Sequence, residues 1–168
     1  MSITSIAGKL YVPRQKELQH YQNGAEKMQD EVLKYLVNTA ASTEYGRNHL
    51  FKTIHSYDDF AKNVPLNTYE ELKGDIDRMR HGESDILWPG SVKWYAKSSG
   101  TTNDKSKFIP VSHDGLHRIH YQGGKDVVAL YLRNNPNSRL FDGRSLILGG
   151  SHSPNYNLPG SLVGDLSA

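Results

Sequence analysis

The 168-residue chain contains no cysteine, which excludes disulfide bonds and thiolate metal sites. It also lacks long hydrophobic runs: the longest covers residues 127–132, far short of the roughly 20 residues that cross a bilayer. The N-terminus has no basic segment followed by an apolar block, so a secretory signal is not expected. These absences predict a cytoplasmic protein without a membrane partner.

Neither sign of charge dominates, because 20 basic residues face 18 acidic ones. With no nucleic-acid-binding signature either, no nucleic-acid partner is expected. The charge is uneven, however: residues 91–125 carry six cationic side chains and only two acidic ones. A basic zone of this kind favours an anionic ligand, although a solvated basic surface would have the same composition.

Helical patterns dominate the first half of the chain. Residues 1–13 are predicted to be extended. Apolar residues then recur every three or four positions over residues 14–40, which predicts a long helix interrupted at Asn23-Gly24 and capped by Gly46.

Two capping signals predict the helices that follow. Ser56 precedes a short helix over residues 57–62, and Thr68 with Glu71 forms the capping-box pattern of a helix that ends near residue 81. Three side chains of this second helix are expected to face inward: Leu72, Ile76 and Met79.

The second half alternates between strand and helix patterns. Strands are predicted over residues 92–96 and 108–111, followed by a helix over 113–132 and a buried strand over 145–148. The tail beyond residue 150 is rich in Gly, Pro, Ser and Asn, and carries no predicted element. Predicted helices come first along the chain, and strands alternating with a helix follow, which indicates an α/β or α+β fold. We interpret the chain as part of a truncated domain. Two tryptophans are expected in the core, Trp88 and Trp94, and the apolar positions predicted for the helix over 113–132 are Leu116, Ile119, Val127, Val128, Leu130 and Tyr131.

A polar loop at residues 98–107 separates the two predicted strands and reads SSGTTNDKSK. Hydroxyls and backbone N–H groups donate to phosphate oxygens, Gly100 permits close approach of the backbone, and a lysine adds positive charge. The spacing is not that of a P-loop. From the residues alone, a phosphate-binding loop and an ordinary polar hairpin both remain open.

Other candidates for chemistry are weaker. His113, His117 and His120 have the spacing of one helix face and could hold a metal, but no carboxylate or cysteine lies at the next turn. They are therefore interpreted as surface histidines, and no metal site is predicted. Ser98 and Ser99 lack the supporting motif of an acyl nucleophile, so no catalytic residue is assigned.

Several segments in order carry a family resemblance. Ser98 to Lys107 resembles the nucleotide motif S-S-G-T-T-x-x-x-x-K of adenylate-forming enzymes. Its neighbours narrow the resemblance: STEYGR at 42–47, VPLNTYEEL at 64–72, LWPG at 87–90, WYAK at 94–97 and FIPV at 108–111. Together they resemble the N-terminal region of the GH3 family, the auxin-responsive acyl-acid amido synthetases, from about residue 14 onward. The likeness is closer to bacterial than to plant members.

The resemblance implies a fold and a reaction. Residues 1–168 would be the N-terminal part of the large α/β domain of an acyl-CoA synthetase-like enzyme, with a helical region at 14–84 and the start of the nucleotide-binding region at 85–168. ATP with Mg²⁺ would activate a carboxylic acid as an acyl-adenylate, and an amino acid or other amine would displace AMP. The residues that match the family's phosphate-binding motif are Ser98, Ser99, Gly100, Thr101, Thr102 and Lys107.

The chain also departs from the family pattern. Asp104 stands where many members have glycine, and its charge opposes phosphate binding. The adenine- and ribose-binding motifs are absent, so the 168 residues alone are expected to be inactive. Two alternatives stay open: a non-catalytic or partner-dependent remnant, and an acyl-CoA ligase-like enzyme. Exposed sheet edges are expected to favour association.

Overall fold

A computed structural model describes residues 2–98, 106–144, 146 and 148–165. These residues fall into two compact units, one within 1–28 and 114–148 and the other within 29–113 and 149–168.

The first unit is helical and begins earlier than the sequence predicts. Helix α1 spans Ile3–Leu10, where an extended segment was expected. Ser2 caps it by accepting a hydrogen bond from the Ser5 amide at 3.1 Å. Thr4 is buried and donates its amide and hydroxyl to Asp142, each at 3.0 Å. The prediction fails because the partner lies 138 positions away, where no local pattern reveals it.

The predicted interruption of the long helix is confirmed. Helix α2 spans Val12–Asn23 and α3 spans Ala25–Ala40, separated at Gly24. Within the first unit, Arg14 of α2 forms a two-pronged ion pair with Asp126 at 2.5 and 2.7 Å.

Asp126 lies on helix α7, Gln122–Asn134, which follows a π-helical segment at Gly115–Tyr121. The buried side chains of α7 are Ala129 and Leu132, whereas Val127 is 68% exposed. Ile119, in the π-helical segment, is 74% exposed. The predicted apolar face is therefore wrong at Ile119 and Val127, and also at Leu130 and Tyr131, which are 36% and 44% exposed. The i to i+5 bonding of a π-helix shifts the face that a regular helical period predicts.

The second unit contains two clusters of buried apolar side chains. The first comprises Val37, Ala40, Phe51 and Ile54, with Trp88 packed against it as expected. Short helices surround it: α4 at Glu44–Asn48, a 3₁₀ turn at Phe51–Thr53 and α5 at Tyr57–Asn63. Gly46 lies inside α4 and not at a helix end, which corrects its predicted capping role.

Both capping predictions are confirmed. Ser56 and Asp59 form a capping box at the start of α5, and Thr68 and Glu71 form another at the start of helix α6, Tyr69–Arg80. Ile76 and Met79 of α6 are buried in the second cluster, and Leu72 packs against it. This cluster also contains Ile86, Val92, Tyr95 and Val163.

A three-stranded sheet lies against α6. Strands β1, Trp94–Lys97, and β2, Phe108–Val111, pair antiparallel, and β3, Leu162–Gly164, pairs parallel with β1. Tyr95 points into the core, and Trp94 on the opposite face is 45% exposed. The expectation of a buried Trp94 is therefore wrong.

The predicted buried strand over residues 145–148 is also wrong where the structure describes it. Leu146 and Leu148 belong to no strand, and each is 90% exposed; Ser145 and Ile147 lie outside the described residues. The third strand comes from the Gly- and Pro-rich tail. Its pairing is non-local, with the Leu162 amide donating to the Lys93 carbonyl at 2.7 Å.

Candidate functional site

The polar segment at 98–107 joins β1 to β2, which pair antiparallel as a hairpin. Its two ends meet: the Ser98 amide donates to the Lys107 carbonyl at 2.9 Å, and the Lys107 amide donates to Ser98 Oγ at 3.3 Å. The first and last residues of the predicted phosphate motif are thereby brought together. Ser99, Gly100, Thr101 and Thr102 lie outside the described residues, as does Asp104.

Helix α6 presents a face of aromatic and charged side chains to the end of this loop. Tyr69, Lys73, Asp77 and Arg80 follow at spacings of four, four and three residues, which places them on one side of the helix. They line a cleft of about 300 Å³ together with Ser106, Phe108 and Tyr156. Two cations face one carboxylate among the lining residues, so the cleft carries net positive charge.

Cations lie over aromatic rings around the loop ends. The Arg80 guanidinium carbon lies 3.8 Å from the centre of the Phe108 ring, and Lys97 Nζ lies 4.2 Å from that of Tyr156. Lys107 Nζ is 5.4 Å from the centre of the Tyr69 ring. These contacts hold positive charge beside the loop without neutralising it, because a ring quadrupole attracts a cation but carries no net charge.

Two buried polar atoms lie close to this arrangement. Tyr95 Oη and Arg80 Nε have no hydrogen-bond partner among the described residues. Burial raises the pKa of the Tyr95 phenol to about 12, and the Arg80 charge partly opposes that rise. The phenol is therefore neutral at physiological pH and is not available as a general base.

Two of the three histidines singled out in the sequence belong to a helical segment of the first unit. His117 and His120 lie in the π-helical segment, with ring centres 5.2 and 5.6 Å from that of Tyr121. Within the part of the chain that the structure describes, no three histidine, cysteine or acidic side chains come together as a metal site requires.

Tyr69, Arg80 and Tyr156 were not predicted as neighbours of the loop. A signal existed for the first two, since Tyr69 lies three residues before Leu72 and Arg80 four residues after Ile76, which places both beside the apolar face of α6. Nothing local indicates Tyr156, which belongs to a 3₁₀ turn at Pro154–Tyr156 that precedes β3.

None of the helices in the described ranges combines the length and apolar character needed to cross a bilayer.

Comparison with known proteins identifies the relatives of this chain. The model of the GH3 family N-terminal domain matches residues 14–168. Indole-3-acetic acid-amido synthetase GH3.15 of Arabidopsis thaliana is 33% identical over 102 residues, covering 60% of this chain and 17% of that protein. The 4-substituted benzoates-glutamate ligase GH3.12 of the same plant is 29% identical over 110 residues, covering 64% of this chain and 19% of its own length.

The solved structure of GH3.15 acyl acid amido synthetase agrees with these matches. It superposes with a TM-score of 0.74 at 26% identity, covering 90% of this chain and 27% of that one. This likeness confirms the expected fold class, a helical N-terminal region followed by part of an α/β domain. Because the family model covers most of the sequence, the chain belongs to the GH3 family.

Proposed function

We propose that this chain is the N-terminal part of an ATP-dependent ligase that joins a carboxylic acid to an amino acid or other amine through an acyl-AMP intermediate. The names of two relatives support the joining step, since one is an indole-3-acetic acid-amido synthetase and the other a 4-substituted benzoates-glutamate ligase. The chain spans 17% and 19% of the length of these relatives, so the reaction is proposed for a protein of their full length. Small-molecule acids and amines are its proposed partners, and the cytoplasm its proposed location.

The meeting of Ser98 and Lys107 at the base of the hairpin carries the proposal. These contacts join the two ends of the polar segment beside the cationic side chains of Lys97 and Lys107, a suitable setting for a polyphosphate. We assign phosphate contacts to Ser98 and Lys107. The same role is assigned by family resemblance alone to Ser99, Gly100, Thr101 and Thr102. Holding the β- and γ-phosphates would stabilise the charge that develops on the leaving pyrophosphate.

Mg²⁺ is proposed as the companion of ATP, where it offsets phosphate charge. The ammonium group of Lys107 at the loop base attracts an anion and repels a cation, and the described residues there include no carboxylate. No protein ligand is therefore assigned to Mg²⁺ among the described residues, and the protein's own contribution is to bind and orient the phosphates.

Phosphate binding is tested by titrating the 168-residue chain with Mg-ATP and with Mg-tripolyphosphate in a calorimeter. Lys107→Ala should weaken both ligands about tenfold, because one charge-assisted contact of about 1.4 kcal/mol is lost. Lys93→Ala removes a cation from the same basic zone outside the loop and serves as the matched control. Equal affinity of the Lys107→Ala variant and the unmodified chain would remove Lys107 from the site.

The adenylate step requires a separate measurement. A protein of the relatives' length should exchange labelled pyrophosphate into ATP when a carboxylic acid is present and no amine is added. The 168-residue chain should show no exchange and form no amide, and amide formation by this chain alone would contradict the expectation that it is inactive by itself.

A further inference from the structure

We propose that Tyr69, Arg80 and Tyr156 are positioning residues that hold both ends of the polar loop, so that Ser98 and Lys107 stay aligned for phosphate. The inference rests on the proposed function, because it explains how the assigned phosphate contacts are kept in place. It adds three residues from two segments distant in sequence from the loop.

Tyr69 holds the outgoing end of the loop. Its hydroxyl accepts a hydrogen bond from the Phe108 amide at 3.0 Å, and its ring faces the ammonium group of Lys107. Phe108 directly follows Lys107 and is the first residue of β2. One side chain therefore contacts both the proposed phosphate ligand and the backbone that carries it.

Arg80 connects this end of the loop to the segment before β3. Its guanidinium covers the Phe108 ring, and Nη2 donates to the Tyr156 carbonyl at 3.0 Å. The side chain is only 11% exposed, and it forms an ion pair with Asp77 at 3.6 Å. This separation is too long for a hydrogen bond to Asp77, so the ring and the Tyr156 carbonyl supply the short contacts of this nearly buried cation.

Tyr156 completes the connection to the incoming strand. Its ring lies 5.8 Å from that of Phe108 and 4.2 Å from Lys97 Nζ. Lys97 ends β1, next to Ser98. A continuous set of contacts therefore runs from Tyr69 through Phe108, Arg80 and Tyr156 to Lys97, and it includes the residues that flank both ends of the loop.

The alternative to positioning is that the cleft binds the anion directly. A Lys73 variant distinguishes these two roles. Lys73 lines the cleft on the same face of α6. Direct binding in the cleft requires its charge, whereas positioning of the loop does not. The Arg80 guanidinium already lies against Phe108 and the Tyr156 carbonyl, which favours positioning.

The test measures backbone amide exchange by NMR and Mg-tripolyphosphate affinity by calorimetry, both on the 168-residue chain. The variants are Tyr69→Phe, Arg80→Met and Arg80→Lys, with Lys73→Met as the matched control. Exchange of the Ser98 amide reports loop closure directly, because this amide donates to the Lys107 carbonyl. Amides of α7 report whether the rest of the fold is intact.

We expect the Ser98 amide to exchange about tenfold faster in Tyr69→Phe and Arg80→Met, with α7 amides unchanged, since each variant removes a contact that supports local closure. Tripolyphosphate affinity should fall about tenfold in Arg80→Met and be partly restored in Arg80→Lys. Lys73→Met should leave both readouts unchanged.

Each arm can fail separately. Unchanged Ser98 exchange in Arg80→Met and Tyr69→Phe would overturn the positioning role, even if Lys107→Ala still weakened binding and so supported the proposed function. A loss of affinity in Lys73→Met equal to that in Arg80→Met would also overturn it, in favour of binding in the cleft. A third outcome is faster exchange of the Ser98 amide in the variants while the unmodified chain binds no tripolyphosphate. It would overturn the proposed phosphate site and leave these residues with only a structural role.

Discussion

Gly46 shows how a single residue can depend on a contact that its local sequence does not reveal. A Cβ atom added at this position would lie 2.0 Å from the Ala40 carbonyl oxygen and 2.9 Å from the Ala40 carbonyl carbon. Both atoms belong to the backbone at the end of α3 and cannot rotate away. The glycine is thus required by the close approach of two chain segments.

Gly46→Ala should therefore lower the free energy of unfolding by at least about 3 kcal/mol, because the backbone must shift to admit one methyl group. Gly74→Ala is the matched control: Gly74 lies in α6 with nothing within 4 Å of its added Cβ, and the change should stabilise the chain by about 0.5–1 kcal/mol. Urea unfolding of both variants measures the difference. Equal stabilities would mean that α3 and α4 are not packed this closely.

The buried Tyr95 hydroxyl is a second single-residue feature that affects stability. It is buried without a hydrogen-bond partner among the described residues, in a side chain that is 1% exposed. Tyr95→Phe removes the unsatisfied group and keeps the ring, so it should raise the free energy of unfolding by about 1 kcal/mol. The same unfolding experiment tests it. A clear loss of stability would show that the hydroxyl has a hydrogen-bond partner in solution.

At the scale of elements, the ion pair between Arg14 and Asp126 joins α2 to α7. Both side chains are largely buried, with 17% and 22% of their areas exposed. The Arg14 guanidinium holds the pKa of the Asp126 carboxyl below its ordinary value. A carboxyl with a lowered folded-state pKa contributes stability above its unfolded value, about 3.9, and loses it as the pH falls through the folded value.

Asp126→Asn should accordingly destabilise the chain by about 1–2 kcal/mol at pH 7, from the loss of a charged hydrogen-bond acceptor. The difference from the unmodified chain should shrink below about pH 4. Asp30→Asn, which disrupts the exposed pair with Lys34 on α3, should have little effect at either pH. Thermal unfolding across the pH range measures both variants, and a pH-independent difference would contradict the assigned role of the charge.

The same scale shows which elements could be predicted. α5 and α6 begin at capping boxes, whose residues lie three positions apart and bond to each other. Such signals are local and can be read from the sequence. α1 and β3 were missed because Thr4 bonds to Asp142, and Leu162 to Lys93, across long separations in sequence.

At the scale of the whole molecule, one face of the sheet is apolar and open. Trp94, Ile109 and Leu162 share this face by strand register, and they are 45%, 45% and 42% exposed. In the strand order β2-β1-β3, the outer edge of β2 has no neighbouring strand within the described sheet, whereas residues 151–153 bond along the outer edge of β3. Exposed apolar area beside an open edge favours association.

The 168-residue chain should therefore associate as its concentration rises, and Ile109→Lys with Leu162→Lys should suppress this by placing charge on the exposed apolar face of the sheet. Sedimentation velocity over a concentration series measures the effect. Leu66→Lys, at a fully exposed position outside the sheet, controls for added charge alone. A monodisperse monomer at every concentration would contradict the prediction.

The sequence by itself determined the polar loop and its place between two strands, the capped helices and the family, because these depend on residue types at short, fixed spacings. It also placed Ser98 and Lys107 at the two ends of the candidate site. Only the tertiary structure decided that Tyr69, Arg80 and Tyr156 lie beside those ends, and that a strand from the tail completes the sheet. These features depend on contacts between segments far apart in sequence, which form only when burial of the shared core brings the segments together.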